Sequence, residues 1–260
     1  MNYIDTHCHL DFPQFHRDME KTILRSFQAG LIFLINVGTD IRSSETSVNL
    51  ASRYNEIYAS VGIHPHEARK NINNINSGLI SLIKHPKAIA VGEIGLDYYR
   101  NLSTQGDQKE VFVQQLRLAK QYRKPVILHC REAYRDLLNI LDKEYLPDLV
   151  NTLPGVVHSF SAGPSYLQEF LRRGFYIGFN NIITYPDNVS LIESVKKTPM
   201  DRILLETDSP YLPPQNLRGQ RNEPMHVISV ADRIAEIKQI DVEEVVNTST
   251  ANAIRLFGLK

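Results

Sequence analysis

Short, nearly continuous apolar runs recur along the chain and alternate with longer stretches of helical period. Residues 3–7, 31–37, 57–61, 88–92, 126–129, 155–158, 175–179 and 203–206 read as eight strands. Several are rich in β-branched and aliphatic residues throughout, as expected of strands covered on both faces. Between them the period changes. Phe112, Leu116 and Ala119 fall on one helical face, behind a capping signal at Thr104 to Asp107. Leu137, Leu138, Leu141 and Tyr145 continue that style over residues 132–146, which Pro147 closes, and Pro125 restarts the chain as a strand. Residues 241–257 read as a further helix ending at Gly258. Strands that alternate with helices predict βαβ units and a parallel sheet. Eight of them predict an α/β fold of the (β/α)8 TIM-barrel class with an extra C-terminal helical segment, as a single domain over residues 1–260. An open doubly wound sheet is the structural alternative, although its Gly-x-Gly-x-x-Gly dinucleotide signature is absent.

Composition narrows the function classes. An apolar fraction of 42% with 22% charged residues is that of a soluble globular protein. Net charge is zero, which argues against tracking a long duplex but leaves room for a local basic pocket. No apolar run is long enough for a membrane span, and no charged segment leads into an apolar one at the start, so neither a span nor a secretory leader is expected. Both cysteines, Cys8 and Cys130, neighbour histidines and read as small buried hydrophobes, which fits a reducing cytoplasm. Without a heptad or a long apolar edge, a monomer is expected.

The candidate chemistry lies at the strand ends. His7-Cys8-His9 closes the first run, and residues two apart on a strand point to one side, so the two imidazoles converge while Cys8 faces away. His64 follows the third run, Glu93 the fourth, His129 and His158 close the fifth and sixth, and Asp208 follows the eighth. Any one of these alone is more simply a hydrogen-bonded histidine, a helix cap or a turn opener. In a barrel, however, all of them collect on the C-terminal rim, where active sites sit. Burying such a set without partners is costly, and a metal offsets that cost. Imidazole and carboxylate ligands without thiolates suit Zn, Mn, Fe or Mg, and the set is too large for one open tetrahedral ion. The expectation is two divalent metal ions: His7, His9 and Asp208 on one, His129 and His158 on the other, with Glu93 bridging. Paired ions about 3.5–4 Å apart are the usual arrangement for phosphoester hydrolysis.

The motifs Asp5-Thr-His-Cys-His-Leu-Asp11, Gly62-Ile-His-Pro-His66, Gly92-Glu-Ile-Gly-Leu-Asp-Tyr-Tyr99, Pro125-Val-Ile-Leu-His129 with Arg131-Glu-Ala133, His158-Ser-Phe-Ser161, Glu206-Thr-Asp-Ser-Pro-Tyr-Leu212, Arg221-Asn-Glu-Pro224 and Asn252-Ala to Leu256-Phe257 resemble the TatD family of metal-dependent deoxyribonucleases. The resemblance runs in the family's order from Asp5 to Leu259. It implies the barrel, a one- or two-metal site, and hydrolysis of DNA phosphodiesters from 3′ ends. It also implies ligand roles for His7, His9, Glu93, His129, His158 and Asp208, and places His64 toward the substrate phosphate. Two departures bear on the pocket floor: Ser159 and Ala162 stand where the family often has Cys and Gly, and strand seven continues as Gly178-Phe-Asn-Asn181.

On this reading Asp208 orients water or accepts its proton, while His64 and Arg131 neutralise charge on the phosphoryl oxygens. DNA ends or single strands would lie on loops carrying Tyr98, Tyr99, Arg100, Phe160, Tyr185, Tyr211, Arg218 and Arg221. Two other readings are a C–N or ester hydrolase using the same metals, and a barrel scaffold that has lost its chemistry. The first commonly needs a carboxylated lysine at strand four, where this chain has Glu93; the second predicts a missing ligand, and none is missing.

Overall fold

The protein is described by a computed structural model covering residues 1–149 and 153–260. Its strands are β1 Tyr3–Cys8, β2 Leu31–Val37, β3 Ile57–Val61, β4 Ala88–Asp97, β5 Val126–Arg131, β6 Gly155–Val157, β7 Tyr176–Phe179 and β8 Ile203–Leu205. They follow one another in chain order in the sheet. The pairs β1/β2, β3/β4, β4/β5, β5/β6 and β7/β8 are parallel. Helices intervene at Met19–Gln28, Ile41–Arg53, Ile75–Ile83, Gln105–Tyr122, Tyr134–Glu144, Pro164–Arg172 and Val189–Lys197. This is the (β/α)8 order. After β8 come Val227–Lys238 and Val242–Phe257. The sequence pattern disclosed only the second of these. No helix among the described residues is long and apolar enough to cross a membrane.

Packing groups the chain into two compact units. The first comprises Met1–Asn36, Ser159–Leu171 and Tyr176–Lys260. Within it, Cys8 at the end of β1 forms a parallel bridge with Ser209, just past β8. The first strand thus lies beside the last, an adjacency that the (β/α)8 class needs and an open doubly wound sheet lacks. The apolar faces of Val227–Lys238 (Val230, Ile234) and Val242–Phe257 (Val245, Val246) are buried in this unit. Cys8 turns its thiol to the Ile35 carbonyl at 3.4 Å, on the far side from the flanking imidazoles.

The second unit comprises Val37–His158 and Arg172–Phe175 and carries β3 to β6 in succession. Every residue of β3 and β4 is buried, which explains their near-continuous apolar runs, Ser60 in β3 and Glu93 and Asp97 late in β4 being the polar exceptions. Gln105–Tyr122 begins at the expected cap, where the Thr104 hydroxyl accepts the Asp107 N–H at 3.1 Å. It buries Phe112, Leu116 and Ala119.

β4 is longer than its apolar run indicated, reaching Asp97 rather than stopping at Gly92. Its pairing with β5 shifts register between Val91 and Ile94 and then resumes, Gly95 opposite His129 and Asp97 opposite Arg131. Gly95 sits at φ +146, and a Cβ there would collide with the His129 carbonyl. Glycine at this position is what lets the strand continue against its neighbour. The extension carries Glu93 and Asp97 into the sheet, on the strand next to His129.

Candidate functional site

In the first unit, His7, His9 and Asp208 come together. His7 is the penultimate residue of β1 and His9 lies just beyond the strand. Their Nε2 atoms approach to 3.2 Å. Asp208 Oδ1 stands 3.5 Å from His9 Nε2 and 3.9 Å from His7 Nε2. Both imidazoles are buried. Two buried imidazole nitrogens and a carboxylate oxygen within 4.8 Å of one another form a donor set that fits a divalent ion.

Backbone hydrogen bonds hold these residues in place. The Asp208 N–H donates to the His7 carbonyl at 2.9 Å, and the His9 N–H to the Ser209 carbonyl at 2.8 Å. Asp208 takes a left-handed conformation, φ +57. Aspartate tolerates that region better than most residues, and such conformations cluster at functional sites. Asp5 pins the same elements: Oδ1 accepts the Thr207 N–H at 2.9 Å and the His7 N–H at 3.2 Å, and Oδ2 accepts the Thr207 hydroxyl at 2.6 Å. Burial pushes the Asp5 carboxyl up to about 8, against the pull of its bonds from Thr207 and His7.

Asn222 clasps the loop that carries Asp208. Its Nδ2 donates to the carbonyls of Thr207, Tyr211 and Leu212 at 2.9, 2.7 and 3.1 Å, and its backbone N–H donates to Pro210. The side chain is fully buried. Asn222→Ala is expected to cost about 2 kcal/mol, because buried carbonyls lose their donor. Urea unfolding of the metal-free protein measures this. Asn222→Asp should not rescue it, since a carboxylate cannot donate; a variant as stable as the parent would remove the clasp.

In the second unit, Glu93 is the hub. Its Oε1 lies 2.8 Å from His129 Nδ1, 3.6 Å from His64 Nε2 and 3.8 Å from His158 Nε2. The Glu93 N–H donates to the Gly38 carbonyl at 3.0 Å. His129 Nε2 lies 3.1 Å from Asp97 Oδ2, which His66 Nε2 also approaches, at 2.9 Å. One ligand atom each from His64, Glu93 and His129 lies within 4.8 Å of the others. Again the donors are imidazole and carboxylate, chemistry that fits a divalent ion.

Protonation differs sharply within this cluster. Burial holds His64 well below its ordinary value of 6.5 despite the Glu93 charge, so it is neutral near pH 7. His64 Nδ1 accepts the His66 N–H at 3.1 Å, which assigns its proton to Nε2. Burial works against charge on His129 too, but its bonds to Asp97 and Glu93 outweigh it and carry the pKa to about 9. In the metal-free protein His129 is therefore an imidazolium between two carboxylates. Raised from 6.5 to about 9, it contributes stability that is fully present below pH 6.5 and lost as pH rises through 9. An ion bound by this ring must displace that proton. Calorimetry at pH 7.5 in buffers of different ionisation enthalpy should report roughly one proton released per ion at this cluster. Binding without release would mean that His129 is not a ligand.

Other residues singled out from the sequence have different fates. Arg131 is the exposed last residue of β5, its guanidinium 3.8 Å over the Tyr99 ring. Phe160, expected among the loop aromatics, is only 1% exposed and cannot stack on a strand of nucleic acid. Arg221 is engaged with Asp18 and Glu223 at 2.7 and 2.8 Å. Tyr185 donates its hydroxyl to the Pro213 carbonyl and lies under Arg218. Tyr99 and Tyr211 are exposed. Asp97, His66 and Asn222 were not singled out, although each lies in a motif quoted from the sequence. Asp97 follows Glu93 at an even spacing on β4, a strand-period signal that points toward a shared side, whereas His66 reaches Asp97 from the turn Pro65–Glu67.

A family profile described as TatD related DNase matches residues 4–258. The chain is 36% identical over 98% of its length, and 98% of the relative's, to an uncharacterized metal-dependent hydrolase, YabD, of Bacillus subtilis. It is 33% identical, over 98% of each chain, to the 3′-5′ ssDNA/RNA exonuclease TatD of Escherichia coli. Among solved structures, the TatD homologue YjjV of Escherichia coli superposes with a TM-score of 0.90 at 33% identity, over 99% of this chain and 98% of that one.

Proposed function

The chain belongs to the TatD-related DNase family and is a metal-dependent hydrolase, and from that premise we propose that it removes nucleotides from the 3′ ends of single-stranded DNA with two divalent ions. The observation that carries this reading is the pair of buried imidazole and carboxylate clusters in a chain of this family. His7, His9 and Asp208 would hold one ion. Glu93 and His129 would hold the other with His158, whose Nε2 lies 3.8 Å from Glu93 Oε1, while His64, within 4.8 Å of the same two residues, would face the substrate. When bound, such ions supply positive charge that polarises a phosphodiester and acidifies the attacking water.

The chain's own residues account for the rest. Asp208, whose oxygen borders two imidazoles, accepts the proton of the attacking water. His64 is neutral with its proton on Nε2, so it donates a hydrogen bond to a phosphoryl oxygen without adding a charge. Arg131 reaches the same oxygens from the end of β5. Zn, Mn and Mg all suit the donors. We assign the reaction to a single-domain monomer in the cytoplasm, where the buried free thiols of Cys8 and Cys130 stay reduced.

The test is digestion of a 3′-labelled single-stranded oligonucleotide by protein loaded separately with Mg, Mn or Zn. Nucleotide release that stops on chelation supports the reading. No release with any metal from a folded, metal-loaded protein overturns it and moves the weight to hydrolysis of a C–N or ester bond.

A further inference from the structure

Phe12 and Tyr211 occupy corresponding places beside the first cluster. Each stands three residues after a candidate ligand: His9 before Phe12, Asp208 before Tyr211. Both turns are closed the same way, the Phe12 N–H donating to the His9 carbonyl at 3.1 Å and the Tyr211 N–H to the Asp208 carbonyl at 2.9 Å. The Phe12 ring stacks on the His9 imidazole, 4.5 Å between centroids and 12° between planes. Tyr211 meets Phe12 edge to face at 6.0 Å and 72°. With Pro13 and Gln14 they line a cleft of about 580 Å³, a size common for small-ligand sites.

Packing accounts for Phe12 but not for Tyr211, which is 47% exposed. The platform is nevertheless held firmly. Asn222 fixes the Tyr211 carbonyl at 2.7 Å, and Arg221 fixes the Gln14 carbonyl at 2.6 Å. The occupant follows from the lining, which carries no charged side chain. A phosphate would find no cation among those four residues. A nucleobase finds both an aromatic face and, in Gln14, an amide that can donate or accept at its edge.

We infer that Tyr211, braced by Phe12, is the stacking platform for the nucleobase next to the phosphodiester being cut. The inference rests on the nuclease reading and adds to it a subsite that recognises the base. Stacking of this kind changes affinity by about tenfold, within the range for one base on one aromatic ring.

The experiment compares oligonucleotides ending in a normal nucleotide with the same oligonucleotides ending in a tetrahydrofuran abasic residue. Tyr211→Ala should raise KM about tenfold for the normal end and leave the abasic end unchanged, while Tyr211→Phe behaves as wild type. An equal effect of Tyr211→Ala on both ends, or none on either, overturns the inference while the nuclease reading stands. The chain has no tryptophan, so Tyr211→Trp supplies a single indole for a binding measurement. Its fluorescence should be quenched by a phosphorothioate-ended oligonucleotide and much less by the abasic-ended one. Should wild type cleave neither substrate, the nuclease reading fails and this signal decides alone. Quenching that depends on the terminal base keeps the platform, and quenching indifferent to it, or absent, removes it.

Discussion

Asp208→Asn is expected to lower metal-dependent nucleotide release by about 10³-fold, within the range for loss of a positioned proton acceptor, and to leave the fold nearly unchanged. Asparagine keeps the size of the side chain and tolerates the left-handed backbone, φ +57, that aspartate adopts here. The two backbone bonds that fix this residue, to His7 and from Tyr211, do not involve its side chain. What disappears is one negative oxygen 3.5 and 3.9 Å from two imidazole nitrogens. That oxygen both holds an ion and accepts a proton, so single-turnover rates and metal content should fall together, with the unfolding midpoint of the metal-free protein little moved. Alanine is the poorer test, since it also disturbs the backbone conformation. A variant that turns over at the parent's rate would end the assignment of Asp208.

Glu93→Gln is expected to cost at least about 10²-fold in rate and to remove the ion of the second cluster. The signature differs from that of Asp208→Asn because Glu93 also sets a proton. Its Oε1 is 2.8 Å from His129 Nδ1, and this contact helps raise His129 to about 9. Without the carboxylate, His129 keeps only Asp97 as a charged hydrogen-bond partner and its pKa falls back toward 6.5. Metal analysis after gel filtration should show one ion fewer per chain, and NMR titration of His129 should show the lowered pKa. If the variant retains its full metal content and rate, Glu93 serves the sheet and not the reaction.

Much of this architecture was legible because strand and helix periods differ. Buried parallel strands leave near-continuous apolar runs, so β3, β5 and β8 could be read closely. Where glycine serves close packing, the pattern misled: Gly92 and Gly95 resemble a stop, yet β4 passes through both. The helix Val227–Lys238 lies outside the strand–helix alternation because it follows a long irregular segment after β8, and its capping box pairs Glu223 with His226 in the preceding turn, where histidine replaces the usual Glu or Gln. The candidate ligands were legible because histidine, glutamate and aspartate at strand ends are costly without a purpose. Their partners were less so. Asn222 acts through carbonyls of residues 10–15 positions away, and a side chain that satisfies distant backbone leaves no periodic trace.

The sequence by itself determined the order of the strands and their alternation with helices, the ends at which chemistry-bearing residues fall, and the family, but not the added helix Val227–Lys238. These depend on local period and residue type, which a linear pattern records. Tertiary structure alone decided which carboxylate faces which imidazole, that His64 is neutral while His129 is charged, that Phe160 is buried, and that Phe12 and Tyr211 meet beside Asp208. Those outcomes depend on distances of a few ångströms between segments far apart in the chain. Burial and Coulomb interaction vary steeply over such distances, so they are set by packing and not by composition.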